Sequence, residues 1–209
     1  MKKYRDHFFL KAKQENYPAR SVYKLKEIDK NFRIFKPGMK VLDLGAAPGS
    51  WSLAAAEAVG PRGSVLGADI QSTVTEFPSN VTFVVEDVFE RSAEFEACLA
   101  ERAPFHVVMS DMAPKTTGTK FTDQARSLDL CREALCVAEQ YLIRGGSFVV
   151  KIFMGPDVQE FVREMRLCFA TVKMFKPKSS RAESKEVFYV AAGFKGRGSA
   201  GGEIPENGE

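Results

Sequence analysis

Short apolar runs alternate along this chain with longer stretches in which apolar residues recur every three or four positions. Val41–Leu44, Gly63–Ile70, Val81–Asp87, Phe105–Asp111 and Ser147–Phe153 read as buried strands, most of them closed by an acid. The helical rhythm occupies residues 19–31, with a stripe of Val22, Leu25, Ile28 and Phe32. It returns at residues 52–59 and 90–102, and in a long segment with Leu128, Cys131, Leu135, Ala138 and Leu142 on one face. A last helix carries Val158, Phe161, Val162, Met165 and Phe169, with Asp157 and Glu160 spaced as a capping box. Gly145-Gly146 reads as a turn, and the polar stretch 115–121 as a mobile loop. Strands near 170–175 and 186–194 are separated by a loop instead of a helix, which predicts an antiparallel hairpin at one edge. The pattern specifies an α/β doubly wound sheet, mostly parallel with an antiparallel edge strand.

Composition bounds the setting. A chain of 209 residues with 44% hydrophobic content suffices for one domain with its own core. No apolar run approaches the roughly 18 residues of a membrane span, and none follows the basic N-terminus as a signal peptide does. A cytoplasmic monomer is expected. Cys98, Cys131, Cys136 and Cys168 form no C-x-x-C pair and have only His7 and His106 beside them, so reduced thiols and no metal site are expected. Charge changes the picture more. Residues 1–40 hold 12 Lys/Arg against 4 Asp/Glu, a formal +8, which leaves −5 on the other 169. So basic an arm points to a polyanion partner. Its aromatics Tyr4, Phe8, Phe9, Tyr17, Tyr23, Phe32 and Phe35 can stack bases or dock the arm on the core. At about 100° per residue Lys24 lies beside the apolar stripe, whereas Lys26 and Lys30 lie away from it. The expected organisation is a basic arm and helix over 1–40, a main domain over 41–195 and a disordered tail over 196–209 rich in Gly and Glu.

The candidate chemistry starts at Gly45-Ala46-Ala47-Pro48-Gly49-Ser50-Trp51, a turn of small residues between a strand and a helix. It lacks the Gly-Lys-Ser/Thr of a phosphate loop and the G-x-G-x-x-G of a dinucleotide site. A nucleoside bearing a carboxylate, such as S-adenosylmethionine, suits it better, with Gly45 and Gly49 permitting close backbone approach. Asp69 and Asp87 close the next two strands, where an acid can accept from ribose hydroxyls or from an adenine amino group. A lone acid there is more often a turn-former; three strand ends in register with a glycine turn are harder to dismiss. Trp51, in the first helical turn, is placed as a pocket wall. Asp111 and Lys151 end the fourth and fifth strands and can meet in one crevice. A lysine so shielded can serve as a general base, or simply pair with Asp111 for structure.

Five ordered motifs then converge: Ala19-Arg20-Ser21-Val22-Tyr23-Lys24-Leu25, Leu44 to Trp51, Ser110-Asp111-Met112-Ala113-Pro114, Val150-Lys151-Ile152-Phe153, and Ser179-Ser180-Arg181 with Ser184-Lys185-Glu186. Over residues 4–194 the chain resembles the FtsJ/RrmJ family of RNA ribose 2′-O-methyltransferases, which have the Rossmann-like sheet of class I S-adenosylmethionine-dependent enzymes. The resemblance implies a catalytic tetrad of Lys24, Asp111, Lys151 and Glu186. It implies cofactor positions at Gly49, Trp51, Asp69, Asp87 and Asp111, beside Gly45 from the turn itself. Ser50 stands where the family often has a second glycine. The implied reaction is displacement of a sulfonium methyl by a ribose 2′-hydroxyl, with Lys151 as base, Lys24 beside it, and Asp111 and Glu186 as orienting groups. A uridine of large-subunit ribosomal RNA is the expected target. A tRNA anticodon-loop enzyme with a partner protein, or a non-catalytic RNA-binding module, is the alternative. An oxidoreductase is disfavoured by the missing dinucleotide turn.

Overall fold

The computed structural model describes residues 7–181 and 184–196. Tyr4 of the arm and positions 197–209 of the expected tail lie outside the described residues. Helices α1 (His7–Gln14) and α2 (Val22–Phe32) precede β1 (Lys40–Leu44), α3 (Ser50–Val59), β2 (Ser64–Asp69) and β3 (Val81–Val85). Then come α4 (Ala93–Arg102), β4 (Phe105–Ser110), α5 (Lys120–Tyr141), β5 (Leu142–Phe153), α6 (Val158–Cys168), β6 (Phe169–Phe175) and β7 (Glu186–Phe194).

The strands form one sheet in the order β3-β2-β1-β4-β5-β7-β6. The first five run parallel, and β7 runs antiparallel to both β5 and β6. The predicted hairpin is therefore present at one edge, and its second strand, β7, is the reversed one, inserted inside β6. Both faces of the sheet are covered, which explains the continuous apolar runs of the central strands. Leu42, Leu44, Leu66, Val108, Phe148, Val150 and Ile152 face α4, α5 and α6. Val41, Val65, Val107, Met109, Val149, Phe188 and Val190 face α1, α2 and α3. The two-residue period of a strand sorts them.

Several local readings need correction, among them Phe169, which begins β6 instead of ending α6. Leu142 leaves the helical stripe to begin β5, and Gly145-Gly146 lies inside that strand instead of turning the chain. There the β4 register shifts between Phe105 and Val107. A Cβ on Gly146 would stand 2.8 Å from the Ile143 carbonyl and 3.0 Å from that of His106, so the bulge needs glycine. Asp157 is the N-cap of α6 but its side chain makes no capping bond; its carbonyl accepts from the Glu160 N–H at 3.1 Å. The stretch 115–121 is not all loop, because α5 begins at Lys120 and Asp123 Oδ1 takes the Thr117 N–H at 2.7 Å and its hydroxyl at 2.9 Å.

The arm's aromatics dock it. Tyr17 and Tyr23 are buried, Phe8 packs on Tyr23 at 5.3 Å, and Phe32 meets Phe175 edge-on at 5.5 Å. The Tyr17 hydroxyl donates to Glu57 of α3 at 2.5 Å. Phe9, by contrast, is 55% exposed. Among the described residues no helix is long and apolar enough to cross a membrane.

Candidate functional site

Parallel strands β1 to β5 bring their carboxyl ends to one edge, and the sheet order reverses direction between β1 and β4. A crevice at such a switch point is the usual ligand site of an open α/β sheet. A cavity of about 640 Å³ lies there, lined among others by Gly45, Asp69, Asp87 and Asp111. The Asp69 carboxylate accepts from the N–H groups of Ala47 (2.9 Å) and Gln71 (2.8 Å), tying the end of β2 to the turn after β1. Asp87 Oδ1 accepts from the Phe89 N–H at 2.8 Å. Each acid thus builds its own turn and also borders the cavity. Ile70, 61% exposed, and Phe89, 50% exposed, line the same cavity. Large apolar side chains left in solvent at a concave site suit the flat face of a base. No pattern in the sequence singles these two out: Ile70 directly follows β2, and Phe89 lies in the turn after Asp87.

Two of the cofactor positions predicted from the sequence, Gly49 and Trp51, lie apart from the cavity lining. Gly49 has φ +111°, and a Cβ there would meet the Phe77 ring at 2.8 Å. Gly45 has φ +76°, and its Cβ would sit 2.5 Å from Met112 Cγ. The close approach both glycines permit is to protein neighbours, whatever ligand lies beyond. Trp51 is a core residue, 3% exposed, with its ring 5.7 Å from that of Phe188 and its Nε1 donating to the Ser21 carbonyl at 3.0 Å.

The reactive side chains gather on one sheet face. Asp111, Lys151 and Glu186 share the parity of Met109, Val149 and Phe188, so they point toward α2. Lys151 Nζ lies 2.8 Å from Asp111 Oδ1 and also donates to the Asp111 carbonyl; its side chain is 8% exposed. Lys24, from the first turn of α2, pairs with Glu186, and its ammonium stands 5.8 Å over the Phe188 ring. Phe188 is in turn the cross-strand partner of Lys151. Burial alone would raise the Glu186 pKa, but the Lys24 hydrogen bond and charge, with Lys151 adding, hold it below the usual range. Lys26, on the far side of α2, pairs with Glu15 instead. A second hollow of about 400 Å³, bordered by Arg20, Lys24, Arg181 and Glu186, opens beside this group.

Beside the site lies a group that no motif in the sequence marks. Asp43, in the middle of β1, is fully buried and accepts the Ser52 hydroxyl at 2.6 Å. Burial pushes its pKa up to about 7, and the nearby charges of Asp111 and Asp69 act in the same direction against the Ser52 hydrogen bond.

The fold is a Rossmann-like α/β sheet with a ligand-sized cavity at its switch point and two lysine–carboxylate pairs beside it. The FtsJ-like methyltransferase model matches residues 17–194, and the chain belongs to that family. It is 75% identical over 196 residues to the ribosomal RNA large subunit methyltransferase E of Nitratidesulfovibrio vulgaris strain DP4, covering 94% of this chain and 96% of that one. The protein of the same name from Lawsonia intracellularis is 62% identical over 195 residues, covering 93% and 98%. Among solved structures, a ribosomal RNA methyltransferase from Plasmodium falciparum superposes with a TM-score of 0.76 at 26% identity, over 87% of this chain and all of that one. Membership of a methyltransferase family implies a methyl-donor cofactor.

Proposed function

We propose that this protein transfers a methyl group from S-adenosylmethionine to a ribose 2′-hydroxyl of large-subunit (23S) ribosomal RNA, a uridine being the expected target. The observation that carries the reading is the pairing of Lys151 with Asp111 and Lys24 with Glu186 on one sheet face, beside a cavity edged by Asp69 and Asp87. The relatives named as large-subunit ribosomal RNA methyltransferases supply the target.

The residues present fit the cofactor. The cavity volume lies within the roughly 300–1,000 Å³ of ligand pockets, and Asp69 and Asp87 suit ribose hydroxyls and an adenine amino group. Gly45, Gly49 and Trp51 form and buttress the turn that would hold its amino-acid end. When bound, S-adenosylmethionine supplies an electrophilic sulfonium methyl. Lys151 takes the proton of the attacking 2′-hydroxyl at Nζ while Asp111 holds that nitrogen in place. Glu186 orients Lys24, whose ammonium steers the hydroxyl and adds positive charge beside Lys151. Holding nucleophile and methyl in line provides much of the acceleration. The basic arm and the 176–185 loop hold RNA phosphates.

The test is transfer of labelled methyl to large ribosomal subunits, naked ribosomal RNA and tRNA in parallel. Label at a ribose in the large-subunit arms is expected. Label in tRNA alone moves the assignment to the anticodon-loop branch, and label in none overturns it. Lys151→Ala is expected to lower the rate at least 10²-fold, in line with the roughly 10²–10⁴ of general-base catalysis, with S-adenosylhomocysteine affinity retained. A wild-type rate in that variant would remove Lys151 from the role of base.

A further inference from the structure

Lys151 and Glu186 are placed by the backbone ladder of β5 and β7, and Asp111 directly follows the last paired residue of β4. Lys24 has no such ladder, because α2 lies outside the sheet. Its distance from the methyl-donor turn depends on side chains that reach between α2 and α3. Ser50, the first residue of α3, accepts the Ala19 N–H at 2.7 Å and donates to the Ala19 carbonyl at 3.1 Å through one hydroxyl. The next residue, Trp51, donates to the Ser21 carbonyl at 3.0 Å, and that same carbonyl accepts the Lys24 N–H at 3.0 Å. Ser50 is 1% exposed and Trp51 3%, so water competes poorly for these bonds. Ser21, the N-cap of α2, makes no side-chain capping bond of its own. The entry to α2 is therefore held from the turn that follows Gly49, and a glycine at position 50 has no hydroxyl to hold it.

We propose that Ser50, with Trp51 beside it, is a positioning residue: it locks the start of α2 to the methyl-donor turn and so fixes Lys24 relative to the methyl being transferred. The Ser50 hydroxyl is engaged with the Ala19 backbone and acts through Lys24. The proposal rests on the methyl-transfer reading, since displacement of a methyl is sensitive to small misplacements of the groups around it.

The experiment compares wild type, Ser50→Ala, Trp51→Phe, Lys24→Ala and the double variant Ser50→Ala/Lys24→Ala. Single-turnover rates, KM for RNA and S-adenosylhomocysteine affinity are measured. Ser50→Ala is expected to slow the single-turnover rate about tenfold, since misplacement of catalytic groups acts on the chemical step, with KM and affinity within about twofold. In the Lys24→Ala background the same change is expected to cost nothing more, because its effect runs through that lysine. Trp51→Phe removes the indole N–H together with part of the buried ring, and it is expected to act in the same direction. A Ser50→Ala rate within twofold of wild type, or an equal loss in the Lys24→Ala background, overturns the proposal. Amide hydrogen exchange supplies a readout without RNA: Lys24 and its neighbours from position 19 onward should exchange faster in Ser50→Ala. Unchanged protection overturns the lock even where the RNA target has been misassigned, whereas a wild-type enzyme that methylates no RNA fails the reading alone.

Discussion

Asp43 shows how one side chain's surroundings outweigh its chemistry. With Leu42 and Leu44 on either side it sits in a strand buried on both faces, and among the described residues only Ser52 reaches its carboxyl. A carboxyl whose folded pKa is about 7 against 3.8 in the open chain binds more protons folded than unfolded across that interval. Its contribution to stability therefore falls as pH rises from about 4 to 7 and is level above that. Asp43→Asn should flatten this slope, so that urea midpoints of the two proteins diverge between pH 5 and 7.5 in the variant's favour; parallel curves would show that Asp43 ionises normally. Glu186 works in the opposite sense. Its folded pKa is lowered from 4.5, so its contribution stands above that value and is lost as pH falls through the folded one. Glu186→Gln should lose stability at neutral pH and show a shallower acid-side decline in the same titration.

At the scale of elements, α2 joins parts of the chain that are far apart in sequence. Its inner end is tied to the α3 start by Ser50 and Trp51, across separations of 31 and 30 residues. Its outer face holds the loop before β7: the Glu27 carboxylate accepts the N–H groups of Lys178 (2.7 Å) and Ser179 (2.8 Å), and Arg20 donates to the Ser179 carbonyl. That loop in turn aims the Ser180 hydroxyl at Glu186, 3.2 Å away. Glu27→Ala should free two charge-assisted hydrogen bonds and cost about 1–3 kcal/mol, with faster amide exchange at Lys178 and Ser179. Unchanged exchange there would mean the loop is held by other groups. None of these ties leaves a periodic trace in the sequence. The helix itself was legible from the stripe of Val22, Leu25 and Ile28, and the angle to that stripe set Lys24, unlike Lys26 and Lys30, beside the body of the domain.

For the molecule as a whole, charge and fold divide the work. The basic arm is docked by its own aromatics, which leaves its lysines, more than its rings, to meet a polyanion. Replacing the exposed Lys13, Lys30 and Lys36 with Gln should weaken RNA binding and flatten its dependence on salt, by roughly 0.7–0.9 in the log–log slope for each phosphate no longer neutralised. An unchanged slope would place the RNA elsewhere. The sequence by itself determined the alternation of strands and helices, the glycine turn and the acids that close successive strands. Those features repeat with a local period, and a local period can be read without coordinates. It also placed the antiparallel pair at an edge, because a loop too short for a crossover helix leaves a hairpin. Only the tertiary structure decided that Trp51 supports α2 from within the core, that the arm's aromatics serve for docking, and that Asp43 is buried beside the site. These depend on which surfaces meet across tens of residues, where packing and desolvation set the energy. The four residues Lys24, Asp111, Lys151 and Glu186 come from both sources: motif resemblance selected them, and strand parity with one helix brings them onto a single face.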